Sequence, residues 1–382
     1  MVQSKLQPIQ LFVLIVLFEI GSSVVVGLGL DAKQDAWLVI LLSMIGGIGL
    51  FSLYVYLYLQ FPDLSLTNFL EKIVGKVIGR ILAIIYICLF LYIAARILRT
   101  FGELLLTTVL YETPISVVMI VMMLTICFGC YLGFEVIART AEIMFPWFIF
   151  FGFLFILFTF FSDLPKLENL QPVLEAGWKP VLKSAFPSVL SFPFGETIVF
   201  TIFFPLLNKQ KDGVIAGYLA LVFSGILLII VTTIIISVIG SYTATKSPFA
   251  LMETIGRIQI GEVFQRLDPI GIILLIIGGY FKITIFLYAA VEGFSNLIRM
   301  TSINKFMIPL MAASIIAMSI LMADNSVEHR EGAAIVPYIL YIPLFMVIPF
   351  LLVVIVIIKK KITKRKQKRH STQKSELLEP RN

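Results

Sequence analysis

The sequence predicts an all-α polytopic membrane protein, and three observations carry that prediction. Hydrophobic residues make up 59% of the 382 residues, while charged residues make up only 14%. The mean hydropathy is +1.01. The apolar residues fall into long runs, most of them at least as long as the ~20 residues that a helix needs to cross a bilayer. A soluble globular domain of this length does not have such a composition, so the soluble classes are excluded.

Ten apolar runs predict ten transmembrane helices, followed by a basic tail at 359–382. Inside a bilayer, backbone polar groups must bond within their own segment, so even the β-branched run at 213–240 is predicted to be helical. Three prolines in the last run predict a kinked helix. The predicted spans are about 10–30, 36–59, 80–110, 114–134, 140–162, 186–207, 213–240, 268–299, 304–323 and 334–358.

Two connecting segments carry helical patterns of their own. Between 65 and 80, apolar residues recur at helical spacing opposite two lysines, which predicts a short helix lying on the cytoplasmic face. In the segment 241–267, Ser247 and Pro248 are typical of a helix N-cap and first turn. We expect a short helix there, which either covers the external mouth of the protein or only orders the loop.

The distribution of basic residues predicts that both termini are cytoplasmic. With the amino terminus placed inside, the cytoplasmic segments hold nineteen Lys and Arg residues and the outer segments hold eight. Ten of the nineteen belong to the tail at 359–382, so the tail carries most of this prediction. We expect the tail to be disordered and attracted to anionic lipid headgroups. The net charge of +7 comes from this tail and does not indicate nucleic-acid binding.

The first span contains residues that a plain lipid-spanning helix does not need. Glu19, Gly21 and Ser22 interrupt the apolar run near its middle, and Gly27 follows toward its end. An ionisable group inside a membrane segment usually faces a cavity or a partner, and non-helical backbone at that depth is tolerated only where it lines a site. This pattern predicts a discontinuous helix whose unwound middle holds a small ligand. The alternative is that the small residues only permit close helix packing.

The sixth span carries a second interruption. Pro193 removes a backbone hydrogen bond and disfavours helix at Phe192, while Gly195 permits the break and Glu196 follows it. Interrupted spans in corresponding positions of two halves are the best sequence indication of a central binding site. The halves are predicted to be residues 10–162 and 186–358. Freed amides can hold a carboxylate and freed carbonyls an ammonium, which suits a zwitterionic amino acid.

The third span places four polar residues on one helical face: Tyr92, Arg96, Arg99 and Glu103. Arg99 and Glu103 form a ready i,i+4 pair, whereas Arg96 has no such local partner. We expect Arg96 to pair with a carboxylate from another span, Glu19 or Glu196 being the candidates, and its neutralisation to lower abundance. Arg96 then either belongs to a structural ion network or organises the ligand site or a proton path.

The eighth span offers a cation and two hydroxyl groups at membrane depth. Lys282 could replace a bound cation or relay a proton, because burial readily perturbs a lysine. Alternatively it snorkels or pairs with Glu19. Thr284 and Tyr288 offer hydroxyls either to a ligand or to neighbouring backbone carbonyls.

No signature of an enzyme or of a bound cofactor stands out in the sequence. It has no phosphate-binding glycine loop, no nucleophile elbow and no metal-ligand histidine pair. We therefore expect a non-enzymatic protein without cofactors or a metal site.

Two stretches resemble the permease-type B subunits of spore germinant receptors: FEIGSSVVVGLGLDAKQDAW at 18–37 and SFPFGE at 191–196. The resemblance extends over roughly residues 5–358. It implies membership of the amino acid–polyamine–organocation superfamily. The implied fold is a leucine-transporter-like 5+5 inverted repeat with broken helices 1 and 6.

The resemblance also implies a function. Such a subunit binds a nutrient such as an amino acid in the spore inner membrane and signals germination with A-type and C-type partner subunits. Carried over by position, the implied pocket residues are Gly21, Ser22, Gly27, Tyr92, Phe192, Gly195, Glu196, Thr284 and Tyr288.

Two other functions stay open at this point. One is a proton-coupled amino-acid permease with Glu19, Glu196 or Lys282 as the proton carrier, and Arg96 in the same ion network. The other is a passive scaffold or ion-conducting subunit without a ligand.

Overall fold

The computed structural model describes residues 5–258, 268–300, 305–323 and 325–378, and nearly all of these residues are helical. No β-strand occurs within those ranges apart from an isolated bridge between Leu6 and Leu207. The α-helices are α1 (Pro8–Val26), α2 (Ala36–Gln60), α3 (Leu66–Val74), α4 (Lys76–Thr108), α5 (Ile115–Leu132), α6 (Phe134–Phe161), α7 (Trp178–Ser184), α8 (Gln210–Lys246), α9 (Ala250–Gly256), α10 (Asp268–Leu297), α11 (Met307–Leu321), α12 (Ser326–Val336) and α13 (Ile348–Leu378).

The all-helical, polytopic prediction is confirmed. Within the described ranges, nine helical stretches are long and apolar enough to cross a membrane, and they correspond to predicted spans one to eight and ten. The predicted ninth span, 304–323, corresponds to α11, which at 15 residues is shorter than the other nine. A count of ten crossing helices therefore stays a prediction.

Helix α1 lies at the centre of the molecule. Fourteen of its nineteen residues are buried, so it has almost no surface left for lipid. It packs against α8 and α10, and α10 in turn packs against α4. Helix α6 lies at the periphery, where most of its apolar side chains are at least partly exposed. The buried centre is thus formed by α1, α4, α8 and α10, together with the segment Phe194–Ile202, all of whose residues are buried.

The predicted interruption in the middle of the first span is wrong, because α1 is continuous from Pro8 to Val26. Gly21 instead lets α1 approach α10: a Cβ at this position would collide with the carbonyl group of Gly278. The small residues therefore serve close helix packing, the alternative that the sequence left open. The chain leaves the helix only at Gly27 and Gly29, whose φ angles of 75° and 68° lie in the left-handed region.

The predicted interruption of the sixth span is confirmed. Helix α7 passes into a π-helical turn at Ala185–Val189, and the helix is broken by a turn at Phe192 and Pro193. The chain continues as a 3₁₀-helix over Phe194–Ile202 rather than as a second α-helix. We refer to Trp178–Leu206 as the irregular span. Its last residues lie beside the start of α1, on the predicted cytoplasmic side. There the Leu6 amide, two residues before α1, donates to Leu206 O at 2.7 Å.

The short helices differ from their predicted bounds. Helix α3 ends at Val74, because Gly75 has a φ of 92° and separates it from α4. Helix α9 begins after Phe249, so Ser247 is not its N-cap; Ser247 instead ends α8. Residues 259–267 of that segment lie outside the described residues.

The last span and the tail form one long helical unit. The proline-rich stretch Pro337–Val347 is π-helical, a distortion of the kind that the prolines predicted. Helix α13 then continues without interruption to Leu378. The prediction that the tail is disordered is therefore wrong as far as Leu378, because the helix propagates beyond the apolar part of the span.

Candidate functional site

Three charged side chains meet in the buried centre: Glu19 from α1, Glu196 from the irregular span and Lys282 from α10. We call them the charge cluster. All three are 0% exposed. Lys282 Nζ lies 2.7 Å from Glu196 Oε2, and Glu19 lies within electrostatic range of both. Pairing with Glu19 was one of the alternatives for Lys282, but the ion pair forms with Glu196, because the turn at Pro193 delivers that carboxylate to α10.

Aromatic rings enclose the ammonium group of Lys282. The Nζ atom lies 4.6 Å from the centroids of both the Phe18 and the Phe192 rings. Phe18 packs in turn against Phe200 and Phe286, with centroid distances of 5.2 Å and 5.1 Å. The ring faces carry negative charge density and so stabilise a desolvated cation. Together the rings separate the charge cluster from solvent and bring α1, α10 and the irregular span to one point.

Glu19 is the member of the cluster without a direct partner. Neither of its carboxylate oxygens has a hydrogen-bond partner among the described residues, and neither does the hydroxyl of Ser22 one turn later. When all three cluster members are ionised, two carboxylates face one ammonium. The arrangement can therefore accept a further positive charge, either a proton or the ammonium group of a ligand.

Arg96 does not pair with either cluster carboxylate. Within the described part of the chain no carboxylate lies within 4 Å of it, although its charge is close enough to act on Glu196. The expected partnership is wrong, because Glu196 is already held by Lys282. The predicted pair of Arg99 and Glu103 is confirmed, with Arg99 Nε 2.8 Å from Glu103 Oε1. Arg96 lies beside Tyr341. Arg96 and Tyr92, which is one turn before it in α4, are both partly exposed.

The two hydroxyl residues of the eighth span have different surroundings. Thr284 donates to Tyr280 O at 2.6 Å, so its hydroxyl bonds to a backbone carbonyl, one of the two alternatives that the sequence left open. The ring of Tyr288 lies 5.2 Å from that of Phe134 and 6.1 Å from that of Phe203. Thr284 lies two residues after Lys282 and so on a different face of α10, whereas Tyr288 contacts Phe134 at the start of α6.

The three predicted glycines separate in the structure. Gly195 is buried beside Glu196, and a Cβ there would lie 3.1 Å from the Phe345 ring. Gly21 contacts α10, as described above, while Gly27 lies beyond the end of α1 in the turn that leads to α2. Gly195 and Phe192 are thus near the charge cluster, whereas Gly27 belongs to the outer end of the first span.

The sequence matches the spore germination protein family over residues 5–327. The chain belongs to that family. Spore germination protein KB of Bacillus subtilis (strain 168) is 36% identical over 362 residues, which make up 94% of this chain and 97% of that protein. Spore germination protein A2 of the same organism is 26% identical over 342 residues, covering 86% and 88% of the two chains. Spore germination protein YndE is 26% identical over 272 residues, covering 70% and 73%.

Membership of the spore germination protein family confirms the resemblance seen at 18–37 and 191–196. The structure shows what these two stretches do in this family member. The first includes Phe18 and Glu19, and the second includes Phe192 and Glu196. Both therefore supply one ring and one carboxylate to the surroundings of Lys282.

Sequence reasoning missed the tyrosines that support the irregular backbone of this spore germination protein. The Tyr54 hydroxyl lies 2.6 Å from Phe345 O and 3.2 Å from Gly195 O, so its single proton is shared between these two carbonyls, with the shorter bond to Phe345 O. Tyr86 OH donates to Leu344 O at 2.6 Å. Carbonyls freed from helical bonding inside a membrane need such donors. The available sequence signal was the presence of tyrosines within the apolar spans α2 and α4, in a chain where prolines interrupt two other spans and free their carbonyls.

The turn after α1 holds the loop 163–177, which the distribution of basic residues predicts to be on the outer side. Gln34 Nε2 donates to Pro172 O at 3.0 Å and to Glu175 Oε2 at 3.1 Å. The Leu174 amide donates to Asp35 Oδ1 at 2.9 Å. We call these contacts the outer latch. Gln34 and Asp35 belong to the stretch 18–37, so this stretch contributes both to the charge cluster and to the outer latch.

Proposed function

We propose that the chain is the membrane-embedded B-type subunit of a nutrient germinant receptor. It binds a small nutrient, an amino acid in our proposal, at mid-membrane and triggers spore germination. The observation that carries the proposal is the charge cluster, in which two carboxylates face one ammonium inside a sealed aromatic enclosure. Membership of the spore germination protein family supports the germination role.

The buried charges explain how ligand binding could be converted into a signal. A ligand ammonium at Glu19 would compensate the second carboxylate and bias the balance between the pair of Lys282 with Glu196 and other arrangements. Because the cluster joins α1, α10 and the irregular span, any rearrangement of these contacts moves three elements together. The proposed ligand site comprises the residues implied by resemblance that adjoin the cluster: Ser22, Phe192, Gly195 and Glu196. Tyr92 lies on α4, Thr284 lies on another face of α10 than Lys282, Gly21 packs against Gly278, Gly27 lies beyond the end of α1, and Tyr288 packs against Phe134.

The family and the sequence support the proposed setting. We propose a multi-pass protein of the spore inner membrane with both termini cytoplasmic, acting together with A-type and C-type subunits. We also propose that ten helices are arranged as two inverted five-helix halves, 10–162 and 186–358. The continuous α1 means that only the second half contributes a broken helix to the site.

A proton-coupled amino-acid permease is the second candidate function. The observation that favours it is the unpartnered Glu19 carboxylate beside the pair of Lys282 and Glu196. Such a set can exchange a proton as the ammonium changes partner, and intramembrane ionisable groups commonly form proton relays.

Two measurements distinguish these functions. The first compares germination of wild-type and deletion-strain spores with single nutrients; we expect deletion to remove the response to at least one nutrient. The second measures uptake of the corresponding radiolabelled nutrient by proteoliposomes that contain only this protein, with and without an inward proton gradient. We expect no concentrative uptake. Uptake that follows the gradient would favour the permease, and a deletion strain with an unchanged response to every nutrient would refute the receptor role.

A further inference from the structure

We propose that Arg96 forms an anion subsite that binds the carboxylate group of the nutrient. This inference rests on the proposed function and deepens it, because it assigns the ligand to the class of carboxylate-bearing compounds. The proposal begins from the position of the guanidinium. Arg96 lies twelve residues before the end of α4 at Thr108, which is about 18 Å along the helix axis, and therefore well inside the membrane span.

A cation at this depth requires compensation. The neighbouring Arg99 has it: its Nε lies 2.8 Å from Glu103 Oε1 and its Nη1 lies 3.4 Å from Ser319 O. Arg96 has no carboxylate within 4 Å among the described residues, and the carboxylate it could have used, Glu196, is held by Lys282. Among the described residues, Arg96 is therefore a guanidinium deep in a membrane span whose charge no carboxylate satisfies by direct contact.

The two arginines also differ in accessibility. Arg99 is buried at 6% exposure, as expected for a structural ion pair. Arg96 is partly exposed, as is Tyr92 one turn earlier on the same face of α4. Arg96 thus keeps part of its surface uncovered by the protein, which Arg99 does not.

The groups around Arg96 suit an anion. Tyr341 from the π-helical segment lies beside it, and His329 from α12 lies within range of its charge. His329 Nε2 is 3.1 Å from Thr100 Oγ1, which anchors the ring next to α4. Hydroxyl and imidazole groups can donate further hydrogen bonds to an oxyanion bound by the guanidinium.

A carboxylate suits this subsite better than a halide ion. The planar guanidinium presents paired N–H donors that match the two oxygens of a carboxylate. On the other side lies the charge cluster, where Glu19 can accept a positive charge. Arg96 acts on Glu196 of the charge cluster, so a zwitterion bound by its carboxylate at Arg96 can direct its ammonium toward the cluster carboxylates.

The test uses spores of a strain in which the native gene is replaced by the wild type, Arg96→Gln, Arg96→Lys or Arg99→Gln. Each strain is exposed to the twenty protein L-amino acids singly, and every amino acid that triggers germination is compared with its amide. Sodium acetate, chloride and phosphate, tested with and without the amide, distinguish a ligand carboxylate from a free anion. Membrane abundance of each variant is measured by immunoblot.

We expect the wild type to respond to an amino acid and not to its amide. Arg96→Gln should accumulate normally and raise the half-maximal nutrient concentration at least about tenfold, because it removes a charge-assisted bond. Arg96→Lys should retain part of the response, since it keeps the charge but loses the paired donors. Arg99→Gln should lose abundance, because it strands Glu103.

Four outcomes would overturn the subsite. One is an equal response to the amide, which needs no variant and holds even if Arg96→Gln fails to accumulate. Another is an unchanged half-maximal concentration in both Arg96 variants. The third is a wild-type response, lost on deletion, only to nutrients without an anionic group; the receptor role would then stand and the subsite would fall. A response restored to the amide by acetate, chloride or phosphate would assign Arg96 to a free anion and likewise contradict the proposal.

Discussion

Lys282 is the residue whose positive charge compensates the carboxylates buried in the membrane core. Its ammonium contacts one carboxylate at 2.7 Å, two aromatic rings at 4.6 Å, and lies within electrostatic range of a second carboxylate. Removing one member of a buried ion pair is far more damaging than removing both, because it leaves an uncompensated charge. Abundance should therefore depend on Lys282 rather than, as the sequence suggested, on Arg96.

We predict that Lys282→Met lowers the free energy of unfolding by about 3–5 kcal/mol and sharply reduces membrane abundance. The double variant Lys282→Met with Glu196→Gln should recover much of that loss, since it no longer strands Glu196. Immunoblots of membranes and thermal unfolding in detergent measure both quantities. A single variant that accumulates like the wild type, or a double variant no better than the single, would contradict the prediction.

The predictable part of the site follows from local residue chemistry. The break at Pro193 could be predicted because a missing N–H acts within its own helix. Gly21 could not be assigned, because glycine serves both backbone flexibility and close packing, and only the position of Gly278 decides between them. Which carboxylate pairs with Lys282 depends on how α10 meets the irregular span, and no local pattern contains that information.

At the scale of elements, the irregular span and the π-helical stretch Pro337–Val347 depend on hydrogen-bond donors from the neighbouring helices α2 and α4. Pro349 has no N–H, so it cannot satisfy the carbonyl of Phe345 by an α-helical bond or that of Leu344 by a π-helical bond. Tyr54 and Tyr86 donate to these two carbonyls instead. The Tyr54 hydroxyl also lies 3.2 Å from Gly195 O, so it bridges the irregular span and the π-helical stretch Pro337–Val347.

We predict that Tyr54→Phe lowers the free energy of unfolding by about 1–3 kcal/mol, because it leaves buried carbonyls without a donor. Tyr56→Phe is the matched control, since no described residue accepts a hydrogen bond from the Tyr56 hydroxyl. Thermal unfolding of the purified protein in detergent measures the difference. Equal midpoints for the two variants would show that the Tyr54 hydroxyl does not support the irregular spans.

For the whole molecule, the composition and the length of the apolar runs predicted a polytopic helical membrane protein and most of its spans. Both features depend on the bilayer rather than on tertiary contacts. The outer end of the protein could not be predicted in the same way. There the turn after α1 and the loop 163–177 contact each other across 139 residues of sequence, through Asp35 and Leu174. Polar contacts of this kind depend on the finished fold, and neither segment has a periodic pattern that indicates its partner.

The outer latch has the features of a closure under strain. Lys33 on one side and Leu174 on the other each have a φ of 56°, a left-handed conformation that is uncommon for residues other than glycine. Such conformations persist only where the surrounding contacts determine them. The bond from the Leu174 amide to Asp35 is the contact that holds the loop side.

We predict that Asp35→Ala releases the loop 163–177 while the membrane core stays folded. Losing a hydrogen bond to a charged group should speed amide exchange of the loop at least about tenfold, because such a bond contributes roughly 1.5–3 kcal/mol. Hydrogen–deuterium exchange by mass spectrometry, on protein reconstituted in nanodiscs, reports both regions. Asp31→Ala is the control, since Asp31 lies in the same 3₁₀ segment, is exposed and makes no described hydrogen bond.

The same variant tests whether the contacts of the outer latch affect the response to the nutrient. If closure of the loop opposes the change that follows ligand binding, Asp35→Ala spores should germinate at a lower nutrient concentration than wild-type or Asp31→Ala spores, because less free energy is needed to open the loop. Faster exchange with an unchanged nutrient response would leave the loop mobile but functionally separate from the site. Unchanged exchange would mean that the loop is held without Asp35, by the bonds of Gln34 to Pro172 and Glu175 and those of Lys166 and Asn169 to Ser237 O, and the prediction for Asp35 would be wrong.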